Sequence, residues 1–204
     1  AHVGTGNYNS RSGKTYTDLS LFSARDSITA DVADLFNALT GDSLPPNGLS
    51  RGSLVAPHQL KDALIGMIEA EAANARAGRQ SGIKVKLNGL SDASLVRALT
   101  QAANDGVPID IVCRGVCTLR PGFKDASEKI RVVSIVGCFL EHSRIYRFEN
   151  AGDPKFFIGS ADLRPRNLSR RVELLVPVVE FEHHRRLQDI LDAYVKDPRG
   201  WELL

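Results

Sequence analysis

One short passage of this chain is written twice. Gly4-Thr5-Gly6-Asn7-Tyr8-Asn9 leads to Asp18, fourteen residues after Gly4, and Gly159-Ser160-Ala161-Asp162-Leu163 leads to Glu173, fourteen residues after Gly159. Each copy runs glycine, small hydroxyl residue, small residue, Asn or Asp, polar loop, then a strand bearing an acid and a following helix. A repeat constrains the fold more than any single motif, because each copy must be a supersecondary unit that finds its partner. Two related lobes are expected, facing each other across a pseudo-two-fold axis with their loops meeting at one cleft.

Hydrophobic periodicity fills in the rest. Thr15–Phe22 nearly alternates, a half-buried strand, and Ile28, Val32, Leu35, Phe36 and Leu39 place a helix over 27–39 that Gly41 should stop. The turn-rich run at 41–48, with Pro45-Pro46, marks a boundary, so residues 1–50 are expected to be the end of a first lobe and 51–204 a second. In the second part Pro57 stands in a first helical turn, and a long amphipathic helix runs on to Gly78. A strand at 83–88, a helix at 91–104 capped by Ser91 and a buried strand at 109–113 form a unit that should be parallel and right-handed. Further strands are expected at 132–136, 143–148, 156–158 and 172–179, with a closing helix at 183–195. The fold class is therefore α/β, a mixed sheet flanked by helices with a partial second copy of the lobe at the N-terminus.

Composition limits the partners. The 204 residues are 43% hydrophobic with a formal charge of +2, yet Arg164, Arg166, Arg170 and Arg171 crowd together, which favours a local anion site over a broad nucleic-acid surface. Cys113, Cys117 and Cys138 lack metal spacing and read as buried free thiols of a reducing compartment. With no signal peptide and no apolar run near the ~20 residues of a membrane span, a cytoplasmic protein is expected. The opening residues look like the exit from a strand, and Trp201-Glu202-Leu203-Leu204 reads as an unfinished end, so the chain is expected to be trimmed at both ends.

Seventeen residues before Gly159 stands His142-Ser143-Arg144. Period-two geometry puts His142 and Arg144 on one face of a strand, so an imidazole and a guanidinium can meet one phosphate. The arginine would fork onto equatorial oxygens while backbone amides and Ser160 hold the remaining charge. The arrangement resembles the HxK-then-GSxN pattern of the phospholipase D superfamily, with Arg144 for lysine and Asp162 for asparagine. By the same spacing the first copy's histidine would precede Ala1, and His2 lies too close to Gly4 to replace it.

Four motifs in order carry a closer resemblance: His2 to Asn9 with Tyr16-Thr17-Asp18; Arg114-Gly115 with Leu119-Arg120-Pro121-Gly122; Ile135-Val136-Gly137 with Leu140 to Arg144; and Gly159 to Asp162 with Arg166-Asn167-Leu168 and Arg170 to Glu173. Together they resemble the C-terminal half of polyphosphate kinases of the first type. The resemblance implies reversible transfer of the terminal phosphate of ATP to inorganic polyphosphate, with magnesium and a phosphohistidine. It implies that the phosphorylated histidine and the magnesium ligands lie upstream, so no metal ligand is assigned. His142 matches the second essential histidine, a general acid or phosphate stabiliser. Tyr16, Arg114 and His142 match nucleotide-contacting positions, Asp18 and Arg171 match residues that orient the histidine or bind phosphate, and Arg144, Ser160 and Asp162 complete the phosphate site. Leu163-Arg164 departs from the family's usual aromatic pair and adds a cation beside the phosphate path. The longer enzyme should be a homo-oligomer, with membrane association open to it and no nucleic-acid partner. A phospholipase D-like phosphodiesterase or nuclease, and a non-catalytic polyanion-binding module, are the competing readings.

Overall fold

The computed structural model describes residues 1–41, 48–122 and 128–203. It begins with a hairpin in which β1 (His2–Gly4) pairs antiparallel with β3 (Ser20–Phe22). Between them β2 (Tyr16–Thr17) leaves the hairpin and runs parallel to a short strand from the far part of the chain, β8 (Leu140–Glu141). Helix α1 (Asp26–Thr40) follows and stops at Gly41, whose φ of 140° favours glycine. Apart from its two end glycines, the expected boundary at 41–48 lies outside the described residues.

The remaining elements build an eight-stranded mixed sheet among the described residues. They are β4 (Leu54–Ala56), α2 (Leu60–Arg76), β5 (Ile83–Leu87), α3 (Ala93–Asn104), β6 (Ile109–Cys113) and β7 (Ile130–Ser134), then β9 (Ile145–Phe148), β10 (Lys155–Gly159), α4 (Pro165–Ser169), β11 (Glu173–Val178), α5 (Phe181–Lys196) and β12 (Trp201–Glu202). The order across the sheet is β12-β7-β6-β5-β9-β10-β11-β4. As the strand, helix, strand pattern predicts, β5 and β6 are parallel, and β7 continues the run in parallel. Strands β9, β10, β11 and β4 then alternate in direction.

Both faces of this sheet are covered, which explains why its strands read as nearly continuous apolar runs. On one face α2 and α3 bury Leu64, Ile68, Leu95 and Leu99 against Ile83, Val85, Ile109 and Ile111. On the other, Val3, Leu21 and Ile28 of the first segment join Leu187 and Leu191 of α5 over Ile145, Ile158 and Val176. Each such buried side chain contributes about 1.5–3 kcal/mol. No described helix is long and apolar enough to cross a membrane.

Several sequence expectations shift, each for a local reason. The single strand at 15–22 is two strands, because the backbone changes partner at Asp18-Leu19. The Thr17 carbonyl accepts the amides of His142 and Ser143, whereas the Thr5 amide turns to the Leu19 carbonyl. Asp92, rather than Ser91, caps α3, its Oδ1 accepting the Ser94 and Leu95 amides at 3.0 and 3.2 Å. His142, Ser143 and Arg144 stand in the irregular link between β8 and β9 and not on a strand. All three cysteines are free, but only Cys113 is buried; Cys117 is half-buried and Cys138 exposed.

Candidate functional site

The two copies of the repeat fold alike. In the first, Gly4 faces Ser20, the Thr5 amide donates to the Leu19 carbonyl at 2.9 Å, and the Thr5 hydroxyl donates to Asp18 at 2.7 Å. In the second, Gly159 faces Leu175, the Ser160 amide donates to the Leu174 carbonyl at 3.0 Å, and the Ser160 hydroxyl donates to Glu173. The hydroxyl also takes the next amide in each copy, Leu19 N at 3.0 Å and Leu174 N at 3.3 Å. The spacing of fourteen is thus the length of a hairpin connection whose loop end locks a hydroxyl onto an acid.

Strand direction collects the site at one edge of the sheet. β5, β6 and β10 end there, and β9 and β11 begin there. Asn88, Arg114 and Ser160 therefore follow strand ends while Arg144 and Glu173 stand at strand starts, the edge where open α/β sheets place ligands. A cavity of about 350 Å³ opens at this edge, with Thr5 and Asn7 on one wall. Five arginines line it, at 114, 144, 164, 166 and 171, against the two carboxylates of Asp162 and Glu173. That excess of positive charge favours an anion there.

His142 sits where the two copies meet. Its Nδ1 lies 3.0 Å from Asp18 Oδ1, so an acid of the first copy holds the histidine of the second. Burial pushes the Asp18 carboxyl up, but the hydrogen bonds from His142 and Thr5, with the charges of His142 and Arg144, outweigh it and hold it below the ordinary carboxylate range. The Tyr16 ring packs beside the imidazole at 4.9 Å between centroids. Tyr16 is reached from a neighbouring hollow lined by His2, Tyr8 and Asp18, not from the arginine-lined cavity.

Arg144 joins the constellation differently from the expectation. Its Nη1 lies 3.1 Å from His142 Nε2, so the two side chains do meet, but its fork grips Asp162, with Nε at 3.2 Å from Oδ1 and Nη2 at 3.0 Å from Oδ2. Nη1 also donates to the Thr5 carbonyl at 2.9 Å, tying the second copy to the first. A bidentate pair this deeply buried is a fixture of the site. Asp162 further accepts the Asn88 amide at 2.8 Å.

Arg114 and Arg171 are held loosely. Arg114 Nε donates to Asn88 Oδ1 at 2.9 Å, and the half-exposed Arg171 lies 3.9 Å from Glu173. Among the described residues Arg164 and Arg166 have no acidic partner, and both line the cavity. His2 is exposed, stacked on Phe22 at 4.3 Å and bonded to the Tyr8 hydroxyl, a supporting place away from the cavity.

Sequence reasoning overlooked Asn88, whose side chain donates to the His142 carbonyl and accepts from Arg114. Its signal was available: it is a polar residue directly after a buried strand, as Arg114 is. The acids in and beside the cavity do not fit a magnesium ion, since Asp18, Asp162 and Glu173 are committed to His142 and Thr5, to Arg144, and to Ser160 and Asn167 respectively. Among the described residues no group of His, Cys, Asp and Glu side chains is placed to hold a metal.

Comparison with known proteins agrees with this geometry. Residues 1–45 match the family described as polyphosphate kinase C-terminal domain 1, and residues 53–204 match polyphosphate kinase C-terminal domain 2. The chain is 45% identical to a polyphosphate kinase of Thermosynechococcus vestitus over 203 residues, 99% of this chain and 28% of that one. It is 45% identical to the polyphosphate kinase of Dictyostelium discoideum, covering all of this chain and 19% of the relative. The crystal structure of polyphosphate kinase from Porphyromonas gingivalis superposes with a TM-score of 0.93 at 37% identity, over 98% of this chain and 31% of that one. Nuc from Salmonella typhimurium, a phospholipase D family member, shares the fold over 74% of this chain and 95% of its own, at a TM-score of 0.54 and 11% identity. The chain thus spans less than a third of the length of these kinases.

Proposed function

The chain belongs to the polyphosphate kinase family, and from that premise we propose that it forms part of a site moving the terminal phosphate of ATP reversibly onto inorganic polyphosphate through a phosphohistidine. Residues 1–50 are read as the end of a first phospholipase D-like domain and 51–204 as a second. One observation carries the reading: His142 is paired with Asp18 across the two copies, at the mouth of an arginine-lined cavity.

With Nδ1 turned to Asp18, Nε2 lies beside Arg144 Nη1, and on this reading the two meet a phosphoryl oxygen together, His142 as general acid or as a stabilising charge. The Asp18 carboxyl, held below the ordinary carboxylate range, keeps its negative charge beside the ring. Arg144, fixed by Asp162, holds the His142 ring in place. Arg114, Arg171 and the outward Arg164 and Arg166 take the negative oxygens of ATP and polyphosphate, and Tyr16 takes the nucleotide. Phosphoryl transfer asks mainly for such positioning and charge.

By the repeat, the counterpart histidine lies seventeen residues ahead of Gly4, outside residues 1–204, with Glu173 as its acid. Its Nε2 would be the phosphorylated atom, and magnesium would arrive with the nucleotide. The reaction is assigned to the cytoplasm, in a homo-oligomer open to membrane association and without a nucleic-acid partner. Calorimetric titration of the chain with polyphosphate and with short DNA tests the reading. Polyphosphate should bind, and His142→Ala and Arg171→Ala should each weaken it roughly tenfold or more, the size of a hydrogen bond to a charged group. Preference for DNA would instead favour the phosphodiesterase or nuclease reading.

A further inference from the structure

The two lysines of β5 show how unusual one of them is. Lys84 and Lys86 point to the same face of the sheet, toward α5. Lys84 is partly exposed and reaches Asp192 at 2.7 Å and Asp110 at 3.9 Å. Lys86 has no exposed surface, and among the described residues no carboxylate pairs with it. An ammonium buried without a counter-charge costs several kcal/mol unless its protons are well received.

Its acceptors are two backbone carbonyls, Glu141 O at 2.5 Å and Ser143 O at 2.8 Å, the groups immediately before and after His142. Glu141 ends the two-residue strand β8 and residues 142–144 form the link to β9, so polar groups here need donors from beyond the large sheet's ladders. The His142 and Ser143 amides go to the Thr17 carbonyl, and the His142 carbonyl accepts from Asn88 and Arg144. The two carbonyls that remain are both served by one ammonium. The Tyr194 ring walls it off 5.7 Å away, and the Tyr194 hydroxyl donates to the Glu141 carboxylate.

We propose that Lys86 is a positioning residue: by bridging the carbonyls on either side of His142 it fixes that residue's backbone, and through it the imidazole, against Asp18. Only the catalytic consequence rests on the function proposed above; the placement of the ring does not. Burial, then the Arg144 and Arg114 guanidiniums, push the ammonium down to about 7, opposed by Glu141 and Asp162. Charged or neutral, the amine carries at least two N–H donors, so the bridge outlasts its titration.

The test is side-chain NMR of the histidines in the 204-residue chain, with Lys86→Met, Lys86→Gln and Lys84→Met beside the wild type. Lys86→Met should shift and broaden the His142 ring signals and erase its Nδ1 contact with Asp18, leaving His58 and His183 unmoved. Lys86→Gln keeps two N–H donors on a shorter arm, so the His142 signals should move the same way by less. That variant decides the matter if Lys86→Met does not fold. Lys84→Met should leave His142 unchanged. A folded Lys86→Met or Lys86→Gln whose His142 signals match the wild type would overturn the proposal, as would Lys84→Met moving them equally. Tripolyphosphate affinity should fall roughly tenfold in Lys86→Met, about one hydrogen bond to a charged group. Moved His142 signals with unchanged affinity would uphold the positioning role and count against the proposed function instead.

Discussion

The two copies of the hairpin have the same hydrogen bonds but live in different surroundings. The second, β10 with β11, lies inside the large sheet, with β9 on one side and β4 on the other. The first, β1 with β3, is a sheet of two strands, and Phe22 and Tyr8 are 76% and 79% exposed. The locking of a hydroxyl onto an acid therefore comes from hairpin register and does not need the sheet around it. What the sheet changes is accessibility. The Glu173 side chain keeps 8% of its surface and Asp18 keeps 25%, so the first copy can extend its acid outward to a histidine of the second.

This contrast can be strained by paired substitutions at matching positions. The largest effect is expected at the fourth residue of the motif, Asp162 in one copy and Asn7 in the other. Asp162→Ala leaves the Arg144 guanidinium buried without its counter-charge and should cost about 3–5 kcal/mol in chemical denaturation. Asn7 is exposed, and Asn7→Ala should stay within about 0.5 kcal/mol. Equal losses would mean that the copies are not as differently buried as described.

A smaller difference is expected at the leading glycines. A methyl group on Gly159 would stand 1.9 Å from the Leu174 carbonyl oxygen, whereas on Gly4 it would meet nothing closer than 3.7 Å. Gly159→Ala should therefore cost about 1–3 kcal/mol as an overpacked site, and Gly4→Ala should be nearly neutral in the same thermal or denaturant assay. A costly Gly4→Ala would show that the first hairpin is packed more tightly than its exposure implies.

How much of this was legible depended on whether the information was local. The helices α1, α3 and α5 lie close to where their apolar periodicity put them, because a 3.6-residue pattern records one buried face. The repeat marked the two hydroxyl-and-acid segments, since hydroxyl, acid and loop length all lie within fifteen residues, but not that each closes as a hairpin. The break in the strand at Asp18 was not legible: it arises because Thr17 serves β8, a segment remote in the chain. The same holds for Arg144, whose fork finds Asp162, and for Lys86, whose two carbonyl partners come from a segment 55 and 57 residues away in the chain.

The central claim is that an acid of the first copy holds the histidine of the second. A double-mutant cycle of Asp18→Ala and His142→Ala, followed by denaturant unfolding, tests it most directly. Because the folded-state pKa of Asp18 is lowered, its contribution is fully present above the ordinary carboxylate range and is lost as pH falls through that lowered value. Measured just above that range, the two substitutions should show a coupling of about 0.5–3 kcal/mol that fades on acidification. Strictly additive losses, at every pH where the chain stays folded, would contradict the pairing and with it the site built on it.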